Sequence, residues 1–394
     1  MHYINLERKQ QPDSPLELRW TGKARTVVSA AVCAGEQIIL ADWSANVTAL
    51  DADTGKKQWS TRAEEGIIEQ LFLFDGLVWA LDLKGNLNGY EMATGQCRAS
   101  YPLTPQSWGL RHADGHIYFI ERVDRSWSTR RGRAVRLDLR SGERAVFAEG
   151  LFDTENGYRN NTVLLHKEGT VLFFLMPDIV KFDMASGALL QRWNIPQCRA
   201  LSGLIAFGDS LLGITDVEKP TLSGWRVGTA EYLTHNPNPL LVITPTQTLG
   251  YPLVANGVYD YTTGAICLGE GRYLLEAGEW LFLYGSDAGQ CALQSLGPLP
   301  NRRGWGNRSA GLFKVEDTIL IFQRQERVHS EDEGYYLQAY EYVVEAQTVR
   351  PLGLPLKTNP HGRNYRGASI DQFDRGFLLR ADARYHYLTW TNKD

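Results

Sequence analysis

The side chains that most often carry chemistry are present in this sequence, but not at working spacings. Its eight histidines are isolated, with no His-x-His or His-Glu-x-x-His pair that could hold a metal ion. No Gly-x-Ser-x-Gly elbow, P-loop or Cys-x-x-Cys occurs, and Gly304-Trp305-Gly306 lacks the strand–turn–helix setting of a phosphate loop. Glu64-Glu65 and Glu331-Asp332-Glu333 fall in polar stretches, where carboxylates face solvent. The expectation is no catalytic residue, no metal and no cofactor.

Recognition chemistry is better represented. Asp124-Arg125-Ser126-Trp127-Ser128-Thr129-Arg130-Arg131-Gly132-Arg133, Asn301-Arg302-Arg303-Gly304-Trp305-Gly306-Asn307-Arg308 and His361-Gly362-Arg363-Asn364-Tyr365-Arg366 each mix arginine with an aromatic residue and glycine. The chain holds 30 Arg against 11 Lys, a choice that favours bidentate and stacked contacts over plain solubility. Arg, Trp and Tyr also dominate interface hot spots. The candidate binding residues are therefore Arg125, Trp127, Arg130, Arg131, Arg133, Arg302, Arg303, Trp305, Arg308, Arg363, Tyr365 and Arg366. Three uses fit them: bracing long loops through local ion pairs, contacting a protein partner, or holding an anionic ligand. The acidic stretch 330–333 weighs against a purely anionic partner.

The elements that must position these residues read as strands. Eleven Trp, eighteen Tyr and 38 Gly favour pleated sheet joined by tight turns. The net charge of −4 argues against a nucleic-acid coat or a polybasic membrane binder. Cys33, Cys97, Cys198, Cys267 and Cys291 are odd in number and widely spaced, which suits free thiols in a reducing compartment. Residues 1–11 lack the apolar run of a signal peptide and nothing later approaches a membrane span, so a cytoplasmic location is expected.

After a polar leader over 1–14, Leu16–Trp20 alternates like a strand with no hairpin partner of its own. A four-stranded meander follows: Thr26–Cys33, a turn at Ala34-Gly35-Glu36, Gln37–Asp42, a short loop, Asn46–Asp51, a turn at Asp53-Thr54-Gly55, and Lys56–Ser60. The pattern recurs. First turns lie at Asp75-Gly76, Asp114-Gly115 and Glu168-Gly169, and third turns end at Gly95, Gly142 and Gly187. A further third turn is expected at Asp260-Tyr261-Thr262-Thr263-Gly264. From Gly55 these glycines advance by 40, 47, 45 and 77 residues, the last step being about two periods. Such a period with four strands is the mark of a propeller blade. Residues 15–394 are read as one all-β propeller domain with eight blades, seven remaining an alternative. The final piece, Ala368–Trp390, holds only three strands, so the strand at Leu16–Trp20 is expected to complete it and close the ring.

Ala49, Asp51, Thr54, Gly55, Lys56 and Trp59 together reproduce the AxDxxTGKxxW motif, and by it the chain resembles the quinoprotein-like, or PQQ-like, repeat propellers. The other units match in part, with Ala99 and Val146 in place of tryptophan in the second and third and Trp193 displaced in the fourth. The resemblance implies a propeller fold. It also implies that a catalytic member would need a quinone and a calcium-like ion in its central channel, and in many cases a disulfide of adjacent cysteines. No adjacent pair occurs here, so the chain resembles the non-catalytic members, among them scaffold propellers of outer-membrane assembly.

Loop lengths add a direction. The first and third turns are uniformly tight, whereas second-to-third and blade-to-blade connections carry the insertions: Val123–Gly132, Phe152–Asn161, Val217–Gly224, Thr234–Pro239, Pro298–Arg308, Arg327–Gly334 and Lys357–Arg366. Variable loops on a rigid scaffold are where binding resides. The expected function is a non-enzymatic scaffold that recognises a protein partner through this face, an inhibitor or immunity-type protein being one narrower form. A quinone- or metal-dependent oxidoreductase and a binder of an anionic ligand are the alternatives.

Overall fold

The structure, a computed structural model, describes residues 15–63, 66–103, 107–123, 131–151, 163–166, 169–175, 178–194, 200–216, 240–243, 248–251, 263–277, 280–287, 290–298, 305–327, 335–352, 354, 369–381 and 383–390. The expected leader at 1–14 lies outside these. No helix long and apolar enough to cross a membrane occurs among the described residues.

The chain begins with β1 (Leu16–Lys23). Blade 1 is β2 (Val28–Ala34), β3 (Gln37–Asp42), β4 (Asn46–Asp51) and β5 (Lys57–Arg62); blade 2 is β6 (Ile68–Phe74), β7 (Leu77–Asp82), β8 (Asn86–Glu91) and β9 (Cys97–Pro102). Blade 3 is β10 (Trp108–Ala113), β11 (His116–Arg122), β12 (Arg131–Asp138) and β13 (Arg144–Leu151); blade 4 is β14 (Val163–His166), β15 (Thr170–Leu175), β16 (Asp178–Asp183) and β17 (Leu189–Asn194). Blade 5 is β18 (Ala200–Phe207), β19 (Ser210–Asp216), β20 (Leu240–Ile243) and β21 (Thr248–Tyr251); blade 6 is β22 (Thr263–Gly269), β23 (Arg272–Ala277), β24 (Trp280–Asp287) and β25 (Gln290–Pro298). Blade 7 is β26 (Trp305–Val315), β27 (Thr318–Arg327), β28 (Tyr335–Val343) and β29 (Thr348–Leu352), and blade 8 contains β30 (Ser369–Phe373), β31 (Gly376–Ala381) and β32 (Arg384–Trp390).

Blades 1 to 7 are antiparallel meanders in chain order, and blade 8 takes β1 as its fourth strand, in the order β1-β32-β31-β30. The chain is an all-β, eight-bladed β-propeller. The strand left without a hairpin partner in the sequence pairs from Leu16↔Trp390 to Lys23↔Arg384, as expected. Two compact units are formed: residues 1–103 with 300–394 hold blades 7, 8, 1 and 2, and residues 104–299 hold blades 3 to 6.

Burial follows strand position. The second strands β3 and β7 read as unbroken apolar runs and are buried on both faces, because a neighbouring blade packs on each side. The fourth strands β5, β9 and β17 alternate between exposed and half-buried residues, since only one face meets a blade. Apolar clusters consequently bridge adjacent blades. Ile39, Val47, Ile68 and Val78 join blades 1 and 2, and Leu320, Phe322, Phe377 and Leu388 join blades 7 and 8.

The turns use the chemistry their residues allow. First turns such as Asp75-Gly76 and Asp114-Gly115 place two successive residues at positive φ (52° and 73°, 49° and 79°), the type I′ geometry that matches strand twist. In the third turn of blade 1 the Asp51 carboxylate accepts the Thr54 amide at 2.8 Å, and the Gly55 amide donates to the Asp51 carbonyl at 2.8 Å. The Thr54 hydroxyl, which donates to the Asp51 carboxylate at 2.5 Å, and then the Thr54 amide hold the Asp51 carboxyl below its ordinary range, as the Ser186 hydroxyl and amide do for Asp183.

The third turns of blades 1, 2 and 4 are also receptors for the blade before them. Trp20 on β1 donates its indole N–H to the Ala52 carbonyl at 2.8 Å and lies over Gly55; Trp59 on β5 does the same to Met92 at 2.6 Å and lies over Gly95. Blade 3 has Val146 where tryptophan is expected, and Val146 is 53% exposed. Here a bulge between Ala134 and Val135 leaves Phe147 as the extra residue and re-aims it onto Gly187. The missing N–H donor comes from Arg136, whose Nη1 donates to the Met184 carbonyl at 2.8 Å while its guanidinium lies 5.7 Å from the Phe147 ring. Two residues on neighbouring strands thus reproduce one indole.

One expected turn is not found. Thr263 and Gly264 belong to β22, the first strand of blade 6, where Gly264 faces Glu276 of β23. The 77-residue step from Gly187 therefore does not join equivalent turns. An Asp-x-x-Thr-Gly string reports only that the chain can turn, and here it precedes a strand that pairs forward; Asp260 to Thr262 lie outside the described residues.

Candidate functional site: the long-connection end of the blades

In a four-stranded meander the first and third connections leave one end of the sheet, and the second connection and the link to the next blade leave the other. At the first end no connection is longer than the five residues of 52–56. At the other end residues 123–130, 152–162, 217–239, 252–262, 299–304, 328–334 and 353–368 intervene between strands. The asymmetry expected from sequence is therefore present in the strand order. Two insertions treated separately, 217–224 and 234–239, fall within one second-to-third connection of blade 5.

Several candidate residues sit in strands rather than loops. Arg131 and Arg133 open β12, where Arg131 faces Leu151 and Arg133 lies between Glu121 and Glu149. The Arg133 guanidinium donates to Glu149 at 2.6 Å, so this arginine acts at least partly as the brace that the local-ion-pair reading describes. Trp305 and Arg308 lie in β26, facing Arg327 and Arg324, because the long β27 supplies ladder partners that far out. Arg125, Trp127, Arg130, Arg302, Arg303, Arg363, Tyr365 and Arg366 lie outside the described residues.

The same end of blades 8, 1 and 2 carries a feature that the sequence reading missed. In blade 1 the buried Asp42 carboxylate accepts the amides of Ser44 and Asn46 (2.9 and 3.1 Å) and the Asn46 side chain (3.0 Å). In blade 2 Asp82 accepts the Lys84 and Asn86 amides (2.9 and 2.8 Å) and the Asn86 side chain (2.9 Å). The signal was an Asp-x-x-x-Asn repeated at 42–46 and 82–86, hidden because it lies beside the better-known turn motif.

These turns are stitched to the links between blades. The Ala24 amide donates to Ala383 (2.7 Å), Trp43 to Val27 (3.0 Å), Ala63 to Ala45 (2.8 Å), Leu83 to Ile67 (2.9 Å) and Leu103 to Gly85 (2.6 Å). The result is a backbone belt across three blades. It holds Trp43 and Leu83 outward at equivalent positions, 54% and 39% exposed.

Near the belt, His386 on β32 is buried, its Nδ1 2.9 Å from the Thr21 hydroxyl. Burial, and then the nearby Arg384 charge, push its pKa down to about 4 from the ordinary histidine value of 6.5. A histidine with a lowered folded pKa stabilises the fold while neutral, and that contribution disappears as pH falls from 6.5 towards 4. The wild type should lose about 2 kcal/mol across this window relative to His386→Gln, as read by urea unfolding at each pH. Parallel pH profiles for the two proteins would refute the assignment.

The comparisons with known proteins fit this architecture. The family model described as outer membrane protein assembly factor BamB, a PQQ-like repeat model, matches residues 17–231. Among solved structures, BamB from Moraxella catarrhalis is 12% identical with a TM-score of 0.56, covering 95% of this chain and 99% of that one. Sqt1 from Saccharomyces cerevisiae is 8% identical with a TM-score of 0.58, covering 95% and 98%. The computationally designed Ika8 protein is 10% identical with a TM-score of 0.59, covering 94% and 100%. No curated protein matches the sequence significantly. Because the family match spans more than half of the residues and contains the blade turns at Gly55, Gly95, Gly142 and Gly187, the chain belongs to the PQQ-like repeat propeller family of BamB.

Proposed function

We propose that this propeller is a non-enzymatic binding module that recognises a protein partner through the long-connection end of its blades. The observation that carries the reading is the asymmetry of connections: the insertions that differ from blade to blade all leave one end, while connections at the other end run to five residues at most. The family description, an assembly factor for outer membrane proteins, is that of a protein that handles other proteins. The free thiols Cys33, Cys97 and Cys267 agree with a cytoplasmic site of action, which cell fractionation checks directly.

Replacing Arg130, Arg131, Arg302 and Arg303 together by glutamate reverses charge in two of these connections and at the first residue of β12. The variant is expected to keep its fold, read by its denaturation midpoint, and to lose its partner in affinity capture from native cells read by mass spectrometry. Undiminished capture by the folded variant would remove these arginines from the interface.

A further inference from the structure

We propose that two copies of this chain associate through the outer edge of blade 6, β25 of one copy pairing antiparallel with β25 of the other about a two-fold axis. This is independent of the protein-partner reading above, which concerns the connections at one end of the blades rather than their outer strands.

Every blade ends in an outer strand with no described strand on its far side, and such an edge invites another strand unless charge, proline or a short length blunts it. Seven of the eight outer strands are blunted. Charge interrupts six of them, from three residues in β1 (Glu17, Arg19 and Lys23) to one each in β9, β17 and β29 (Arg98, Arg192 and Arg350), and β9 and β29 add Pro102 and Pro351. The seventh, β21, is only four residues long. In contrast, β25 is nine residues long and carries no charge. Its stretch Gln290–Leu296 runs seven residues without charge, proline or glycine, against at most four in any other outer strand. A run of that length and kind is what strand-to-strand association between chains requires.

Local packing fixes the strand and leaves its edge outward. It pairs with β24 from Asp287↔Gln290 to Trp280↔Pro298, and the bulge at Leu296 leaves Gln290–Ser295 in regular register. Leu293 packs against the core that joins blades 5 and 6, whereas Ala292 and Gln294 are exposed. The occupant follows from charge. A two-fold axis sets residues near the centre of the seam against their own counterparts, so a charged edge repels itself and an uncharged one does not. The nearest charges in the sequence lie at opposite ends of the strand, Asp287 before it and Arg302 after it. Antiparallel copies therefore set acid against base at both ends, and parallel copies would set like against like. With a neutral run between ends of opposite sign, β25 carries its own complement, and the pairing turns two four-stranded blades into one eight-stranded sheet.

A concentration series of the full chain in analytical ultracentrifugation tests this. One strand seam is small beside the about 800 Å² per partner of a stable dimer, so the shift from monomer to dimer should fall in the micromolar range. Over the same range hydrogen exchange of the amides at 290–296 should slow, and that of the other outer strands should not. Two double variants place charge on the exposed positions: Ala292→Lys with Gln294→Lys, and Ala292→Glu with Gln294→Glu. Each alone should dimerise at least about tenfold more weakly than the wild type, and an equimolar mixture should restore a dimer holding one of each. A wild-type chain that stays monomeric up to about 1 mM, amides at 290–296 whose exchange ignores concentration, undiminished dimerisation of either double variant, or no dimer in the mixture would each overturn the proposal. Should either variant fail to fold, the wild-type exchange profile decides alone.

Discussion

Gly95→Ala should lower the unfolding free energy by about 3 kcal/mol, against about 1 kcal/mol for Gly76→Ala. The two glycines form a matched pair, because both hold a φ of +73°. A Cβ on Gly76 would meet nothing within 4 Å, so its substitution costs only the left-handed backbone. A Cβ on Gly95 would lie 2.5 Å from Cε3 of Trp59. The indole must move, giving up its hydrogen bond to the Met92 carbonyl and its packing across blades 1 and 2. Equilibrium denaturation of both variants measures the difference. Equal losses would show that the indole does not clasp the turn.

Arg380→Met is the other substitution with a large expected cost, about 3 kcal/mol. Arg380 on β31 forms a bidentate pair with Asp371 on β30 (2.6 and 3.1 Å) and donates to the carbonyls of Val28 and Ser29 (3.3 and 2.6 Å) on the first strand of the next blade. Its side chain is 12% exposed and that of Asp371 25%. Removing the guanidinium leaves a half-buried carboxylate and two carbonyls without their donor, which costs more than the pair contributes while intact. Arg380→Met combined with Asp371→Leu should therefore recover much of the loss, a non-additivity that a double-mutant cycle reads. If the double variant is no more stable than Arg380→Met alone, the carboxylate is not the source of the penalty.

The fold was legible where local chemistry and packing agree. Asp51 to Trp59 announces a turn, a glycine conformation and an inter-blade tryptophan, and all three are found. Blade 3 was harder. The string around Val146 shows a missing tryptophan, but which neighbour replaces it depends on a bulge one pair further along, and a one-residue shift exchanges the faces of a strand. Phe147 and Arg136 therefore could not be read together from their positions. Asp260 to Gly264 misled for the opposite reason, since its residue types permit a turn without dictating which strands it joins. For the candidate site, the end of each blade that bears long connections followed from counting strands. The strand positions of Arg131, Arg133, Trp305 and Arg308 did not, because the ends of β12 and β26 are set by how far β11, β13 and β27 extend beside them.

The pairing of β1 with β32 sets an order of events during synthesis. Leu16 meets Trp390, so β1 leaves the ribosome long before β32, the strand it pairs with. Blades 3 to 6 lie in the continuous stretch 104–299 and have all their strands much earlier. Blades 1 and 2 are made first, yet they share a compact unit with blades 7 and 8, which are made last. Throughout elongation Trp20 has its receptor turn at Gly55 within reach but lacks the strand that carries Tyr385 and Tyr387, against which its ring packs in the finished protein. A nascent chain stalled before residue 384 should thus hold a folded middle and an open N-terminal edge, the form in which a chaperone or a second copy would most readily engage it.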